Sequence, residues 1–343
     1  MRDGWTWRCL ANRSRLINVL PFQSPVMVSR RLFIVFVAVF ALANNFRSAD
    51  AGEASIIVDA QTGYVLDSHA PREKRQIGSL TKIATAMVVL DWAEHRGGDL
   101  SQMAVVPPDA FAGARENNIG FQPGDAINLR DLLYAALVQS DNIAAYTLAS
   151  HVGARLQSLI PASSSSKITP VIAFVIQMNA LAKTLDMERT RFVNPHGIDY
   201  EVKPLPYSTA QDMARLTRYA MTKASFRFYV SQRERLITFR RGPRTLRYML
   251  RNTNALLGNN GVDGVKTGST SRAGDCLILS AVRESEVHKI DEDHATVFPR
   301  RIITVLLGSN NRFGEGAMLV QRGWQLYDQW AAAGRPVDPD KKL

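Results

Sequence analysis

The chain has 343 residues, a formal net charge of +11 and two cysteines. That length supports one large core or two lobes, while two cysteines, one of them in a removable leader, exclude an intramolecular disulfide framework. Five arginines fall between Arg240 and Arg251 without an interleaved aromatic platform, so they point to a solvated strand face and exclude a nucleic-acid site.

The first 51 residues have the order of an export signal. Arg30 and Arg31 precede twelve apolar residues, Leu32 to Ala43, and Ala49-Asp50-Ala51 offers an A-x-A cleavage site before Gly52. Twelve apolar residues are too few to span a bilayer, which needs about 20. The Ser-Arg-Arg-Leu-Phe run also has twin-arginine character, but an ordinary Sec signal fits it better, and Met27 would give a more typical start than Met1. Residues 1–51 carry seven arginines against two aspartates, which leaves +6 on the 292-residue mature chain. An excess of that size suits work beside anionic envelope polymers and equally suits simple solubility. An exported, periplasmic protein is expected.

The mature chain opens with SIIVDA and YVLDS around Gln-Thr-Gly, a predicted hairpin. Helical periodicity follows: a run from Ser79 through Ile83–Leu90, then LRDLLYAALV, NIAAYTLASHV, VIAFVIQMNALAKTL and STAQDMARLTRYAM. The last of these has Ser208 or Thr209 as N-cap and Asp212 in its first turn. Strand periodicity returns near residue 262 in GVKTGST, CLILSAV and RIITVLLGS, before a final helix around AMLVQRGWQLYDQW. Strands at both ends with helices between predict a mixed sheet covered by helices, its strand ends meeting across 200 residues of sequence. Two segments read as inserted surface loops, the Ser-rich residues 161–170 and the polar residues 284–299. Cys276, inside CLILSAV, reads as a small buried hydrophobe.

Lys82 stands out because Ile83 to Leu90 are apolar around the whole helix. It lies three residues after Ser79 and so on the same face. A serine hydroxyl becomes a nucleophile when a neighbouring base takes its proton, and burial can lower a lysine pKa enough for it to be that base. Ser79 follows Gly78 at the predicted helix start, where free backbone N–H groups can stabilise an oxyanion. Taken alone, S-x-x-K is equally met by a lysine snorkelling from a helix end. Ser164-Ser165-Ser166-Lys167 also matches the pattern, in a proline-bounded loop with no apolar flank.

Two further motifs decide between these readings. Ser140-Asp141-Asn142 lies at the junction of two predicted helices, where a second hydroxyl can relay a proton and an amide can hold a substrate carbonyl. Lys266-Thr267-Gly268 lies on a predicted strand, where lysine and threonine can hold a carboxylate and glycine admits a close backbone. The three in this order and context form the set found in penicillin-binding proteins and class A β-lactamases.

With those motifs in place, the chain from about Ala54 to Trp330 resembles the D-alanyl-D-alanine carboxypeptidase family, low-molecular-mass penicillin-binding proteins of bacterial cell-wall metabolism. IGSLTKIATAMVVLD, FVNPHGID at Phe192–Asp199, RNTNALLG at Arg251–Gly258 and VDGVKTGSTSRAGDCL at Val262–Leu277 carry the resemblance. It implies an α+β fold of the β-lactamase/transpeptidase type: a mainly antiparallel sheet covered by helices, a helical lobe, and the active site between the two. The implied division is a signal at 1–51, a D,D-peptidase domain at 52–335 and a tail at 336–343. Within that domain the sheet lobe comes from 52–78 and 250–335, the helical lobe from 79–249.

By the same resemblance Ser79 is the nucleophile, Lys82 its base and Ser140 the proton shuttle. Asn142 orients the substrate backbone, Lys266 and Thr267 bind the terminal carboxylate, and the N–H groups of Ser79 and Ser269 form the oxyanion hole. Asn194 to Gly197 match a family loop near the site, and NPHG is read here as a turn without a chemical role. No metal or cofactor is implied. The implied partners are peptidoglycan stem peptides, with β-lactams as covalent inhibitors. Oligomeric state is left unassigned.

Many family members add an all-β domain and a membrane-binding C-terminal amphipathic helix, whereas this sequence runs out at RPVDPDKKL. No stable membrane anchor is therefore expected. The leading function is a serine D-Ala-D-Ala carboxypeptidase, with a D,D-endopeptidase as closest alternative. A β-lactamase is less favoured: no E-x-x-L-N segment lies between Asn142 and Lys266, although Glu188 and Glu201 fall in that interval. An inactive wall-binding scaffold is opposed by three complete motifs.

Overall fold

A computed structural model describes residues 52–112, 116–159, 168–200, 202–291 and 294–343. The expected export signal and the Ser164–Lys167 motif copy lie outside them, as does Glu201.

Strands β1 (Ala54–Asp59) and β2 (Val65–His69) form the expected antiparallel hairpin. A 3₁₀ turn, Gly78–Thr81, then leads into α1 (Lys82–His95). The helix was expected to begin at Ser79; instead its first turn is tightened, which is common at helix N-termini. β3 (Met103–Val105) and β4 (Ala126–Asn128) precede α2 (Leu129–Leu137), α3 (Asn142–Gln157), α4 (Pro170–Thr184), α5 (Ala210–Thr222) and α6 (Ala224–Val230). β5 (Glu234–Arg241) and β6 (Arg244–Arg251) follow, then β7 (Val262–Thr270), β8 (Gly274–Lys289), β9 (Ala295–Ser309) and α7 (Arg312–Ala332).

Five strands form a sheet in the order β2-β1-β9-β8-β7, with every pairing antiparallel, so the sheet is not mixed as the element order had suggested. Its strands are apolar on both sides because both faces are covered. Ile56, Val58, Ile278, Ile303 and Val305 face the core shared with the helices, while Ile57, Leu277, Leu279, Ile302 and Leu306 pack under Trp324, Tyr327 and Trp330 of α7. Each such fully buried side chain contributes about 1.5–3 kcal/mol. Cys276 belongs to the first layer, wholly buried, its thiol pushed up to about 11 by burial.

A second, four-stranded sheet, β3-β4-β5-β6, was not expected as a unit. Two of its strands are only three residues long, too short for a period to show. The arginine-rich run does form a strand pair, β5 with β6. Most of the stretch expected as a loop at 284–299 is strand: β8 runs on to Lys289 and β9 starts at Ala295, pairing Glu286 with Phe298, Val287 with Val297 and His288 with Thr296. Their polarity follows from exposure of both faces of this ribbon.

α1 is the central helix, every residue from Lys82 to Leu90 being buried. It packs against α2, α3, α4, α5 and α6. α5 starts as expected, with Thr209 Oγ1 accepting from Asp212 N at 3.0 Å, a cap contributing about 1 kcal/mol. After α7 the chain folds back, and Leu343 N donates to Gly63 O. Among the described residues no helix is long and apolar enough to cross a membrane.

Candidate active site

The N-terminal turn of α1 abuts the edge strand β7, with the N-terminus of α3 and the 194–200 loop closing on it. Gly78 makes the first contact possible: its φ is +51°, and a Cβ there would sit 3.0 Å from Ser269 N. Gly197 makes the second. Its φ is +90°, and a Cβ would lie 1.9 Å from Gly78 O, so only glycine lets the loop close on the Ser79 turn.

Lys82 is fully buried, and its Nζ donates to three oxygens: Ser79 Oγ at 2.9 Å, Asn142 Oδ1 at 2.7 Å and the His196 carbonyl at 2.9 Å. Burial lowers its pKa to about 7, opposed by the Asp141 carboxylate. Asp141 caps α3, accepting from Ala144 N at 2.7 Å, and burial raises its own pKa to about 6. When Lys82 is neutral, the His196 carbonyl and the Asn142 amide oxygen, both pure acceptors, hold its two hydrogens. Its lone pair is then left facing Ser79 Oγ, so the geometry itself poises the amine to take the serine proton.

Ser140 sits at a φ of +65°, an uncommon conformation for a non-glycine residue. Its neighbour holds it there: Gln139 Nε2 donates to Tyr248 Oη at 2.9 Å, and Gln139 Oε1 accepts from Arg251 N. Ser140 lines the cleft but is not among the three partners of Lys82.

On the opposite wall, Thr267, Gly268 and Ser269 of β7 line the cleft. Lys266 does not line the cleft surface and is 1% exposed, its Nζ donating to Thr267 O at 3.0 Å. Burial, then Lys82 and Arg312, drive its pKa well below the ordinary lysine value. The cation that reaches the cleft on this side is Arg312, at the start of α7, whose Nη1 donates to Gly268 O and Asp275 Oδ1, each at 3.0 Å.

All seven expected site residues are therefore gathered in one place: Ser79, Ser140, Asn142, Thr267 and Ser269 line a cleft of about 1190 Å³, while the buried Lys82 and Lys266 bond to residues that line it. Sequence reasoning passed over several others. The NPHG turn does more than turn: Asn194 Oδ1 accepts from Gly197 N at 2.7 Å, and the turn thereby presents the His196 carbonyl to Lys82. The imidazole is half-buried and its pKa falls to about 3, from loss of water around it and then Lys82, so it stays neutral. Asp199 Oδ2 accepts from Thr270 Oγ1 at 2.7 Å, clasping this loop to β7. Thr253 Oγ1 lies 2.6 Å from Thr267 Oγ1. The FVNPHGID and RNTNALLG stretches carried the signal for these residues, but backbone carbonyls and tertiary hydroxyl pairs have no sequence signature. Arg312 had no signal beyond its place before the last helix. Glu188, one carboxylate open to a deacylating role, lines a separate pocket with Arg72, Arg189 and Arg215.

The family model for D-alanyl-D-alanine carboxypeptidases matches residues 42–290. D-alanyl-D-alanine carboxypeptidase DacC of Escherichia coli strain K12 is 31% identical over 301 residues, covering 85% of this chain and 65% of the relative. The chain thus spans slightly under two thirds of that relative's length. The D-alanyl-D-alanine endopeptidase of the same strain is 33% identical over 238 residues, covering 68% of this chain and 67% of the relative. Among solved structures, the Streptomyces K15 DD-transpeptidase superposes with a TM-score of 0.65 at 25% identity, covering 80% of this chain and 97% of that one. The penicillin-binding D,D-peptidase fold is the α+β arrangement found here.

Proposed function

The chain belongs to the D-alanyl-D-alanine carboxypeptidase family, and from that premise we propose that it is a serine D-Ala-D-Ala carboxypeptidase of peptidoglycan stem peptides. The observation that carries the reading is the buried Lys82 amine, near neutrality in pKa and 2.9 Å from Ser79 Oγ.

In this reading Ser79 Oγ attacks the carbonyl carbon of the penultimate D-alanine while its proton passes to Lys82. The oxygen that becomes negative is held by the N–H groups of Ser79 and Ser269. The C–N bond then breaks, the amine of the terminal D-alanine receives a proton through Ser140 and Lys82, and D-alanine leaves. A water molecule, deprotonated by the same amine, attacks the acyl-enzyme and frees the shortened peptide and Ser79. Asn142 and β7 hold the peptide in an extended pose, as an edge strand can. Thr267 receives the terminal carboxylate under the positive field of Arg312, with Lys266 holding the Thr267 carbonyl. β-Lactams acylate the same serine.

This activity belongs outside the cytoplasm, and the export signal read at residues 1–51 supports a periplasmic site reached by the Sec route. The division into a sheet lobe and a helical lobe with the cleft between them supports the same reading. Incubating the mature protein with purified muropeptides, followed by mass spectrometry, tests it. Loss of one terminal D-alanine from pentapeptides is expected, and a Ser79→Ala variant is expected to be inert. Cleavage confined to cross-linked dimers would overturn it in favour of the endopeptidase.

A further inference from the structure

The outer face of the β5–β6 pair leads away from the cleft as a strip of cations set among apolar side chains. Strand pairing puts Glu234 opposite Arg251, Leu236 opposite Met249, Thr238 opposite Arg247 and Arg240 opposite Thr245. All eight are exposed. Because side chains alternate along a strand, these four pairs share one face, and from Thr245 to Arg251 they span about 20 Å. Met249 and Arg251 line the cleft, so the strip begins inside it.

Three features separate this strip from an ordinary solvated edge. Leu236 and Met249 are 49% and 46% exposed, side by side, between the arginines at either end. Among the described residues, the one acidic partner on the strip is Glu234, 3.5 Å from Arg251, which leaves Arg240 and Arg247 without an ion pair. β6 is also the edge strand of its sheet, so nothing in the sheet flanks it on the far side.

We propose that this strip is an extended docking surface for peptidoglycan itself, holding carboxylates of stem peptides beyond the one being cleaved. The proposal rests on the carboxypeptidase reading of the cleft and adds a polymer-specific contact to it. Charge complementarity identifies the occupant: an extended chain bearing carboxylates at intervals fits arginines spaced by apolar contacts, and arginine grips carboxylates with a planar fork. Continuity with the cleft gives the direction, since a polymer whose stem enters at Ser79 leaves past Arg251 and Met249.

The test uses the full mature protein and an Arg240→Glu/Arg247→Glu variant, neither residue lining the cleft. Sedimentation with protein-free peptidoglycan sacculi reads polymer binding across a salt series, and D-alanine release from a soluble pentapeptide reads the catalytic centre. The variant is expected to bind sacculi about tenfold less at low salt, with the difference vanishing as salt screens it, while pentapeptide kcat/KM stays within about twofold. Equal sedimentation of the two proteins would overturn the proposal. So would equal loss of binding to sacculi whose free carboxylates have been amidated, since the strip would then not be reading carboxylates. Failure of the wild type to cleave the pentapeptide would instead overturn the functional reading, whatever the sacculi show.

Discussion

Lys82 Nζ donates to Asn142 Oδ1 at 2.7 Å, a bond that joins two motifs sixty residues apart. Together with the His196 carbonyl, this acceptor occupies two of the three hydrogens of the ammonium and orients the third position on Ser79. The base is thus aimed by its neighbours rather than by its own flexible stem.

Acylation by a fluorescent penicillin should therefore follow the titration of Lys82. Because its pKa is lowered to about 7, the neutral amine prevails above that value, and the acylation rate should fall about tenfold per pH unit below it. Lys82→Arg keeps the charge but cannot release a proton near neutrality, so acylation should drop by about 100- to 10,000-fold. A flat pH profile, or substantial labelling of the arginine variant, would show that Lys82 is a structural cation.

How much of this was legible in the sequence follows from what each feature depends on. Ser79, Lys82, Ser140 and Asn142 were legible because they sit at helix starts, where local spacing fixes geometry. The hairpin and the apolar strands were legible from their period. The second sheet was not, because β3 and β4 are short and β4 joins β5 across more than a hundred residues. The ribbon at 284–299 was read as a loop because both its faces meet water, which removes the apolar alternation that marks a strand. Lys266 was named by its motif, and its burial, with Lys82 as a charged neighbour, depends on how β7 packs against the Ser79 turn, which no local spacing reveals.

Asp141 offers a way to move the pH profile without touching Lys82. Its carboxylate raises the lysine pKa against the effect of burial, and asparagine can keep the cap on Ala144 N. Asp141→Asn should thus shift the acidic limb of acylation to lower pH. The sign for stability is opposite to that of an ion-paired carboxylate: the folded pKa is raised from 3.8 to about 6, so the native state binds the extra proton and wild-type stability falls as pH rises through that window. Chemical denaturation of both proteins at pH 4 and pH 7 should show the wild type losing stability relative to the variant.

Gly197 makes a third prediction, about shape alone. With φ at +90° and a Cβ position 1.9 Å from Gly78 O, Gly197→Ala must displace the loop or the nucleophile turn. A destabilisation of about 3 kcal/mol is expected, lowering Tm by about 6 to 12 °C. The distinctive readout is kinetic: at a temperature where the variant is fully folded, penicillin acylation should still be slower, because the His196 carbonyl that aims Lys82 moves with the loop. Unchanged acylation would mean that the loop carbonyl does not position the base.

The carboxylate side of the cleft separates the two cations near Thr267. Arg312 lines the cleft, whereas Lys266 is buried and its pKa is driven well down. A terminal carboxylate held by charge-assisted hydrogen bonds gains about 1.5 to 3 kcal/mol over an amide, or roughly 10- to 150-fold in binding. A pentapeptide with a free C-terminus should thus be cleaved one to two orders of magnitude faster, in kcat/KM, than its C-terminal amide. Arg312→Met should erase most of that preference by slowing the carboxylate substrate alone. Lys266→Met should slow both substrates together, because it removes the support of Thr267 O rather than a contact with the substrate. If Lys266→Met erased the preference and Arg312→Met did not, the buried lysine would be the carboxylate partner after all. In a cross-linked dimer the carboxylate still lies beside the scissile bond, but the leaving residue carries a second peptide. Arg312→Met should therefore slow monomer and dimer cleavage in parallel when the two are compared at equal concentration, and a loss confined to the monomer would show that this cation sets the choice between them.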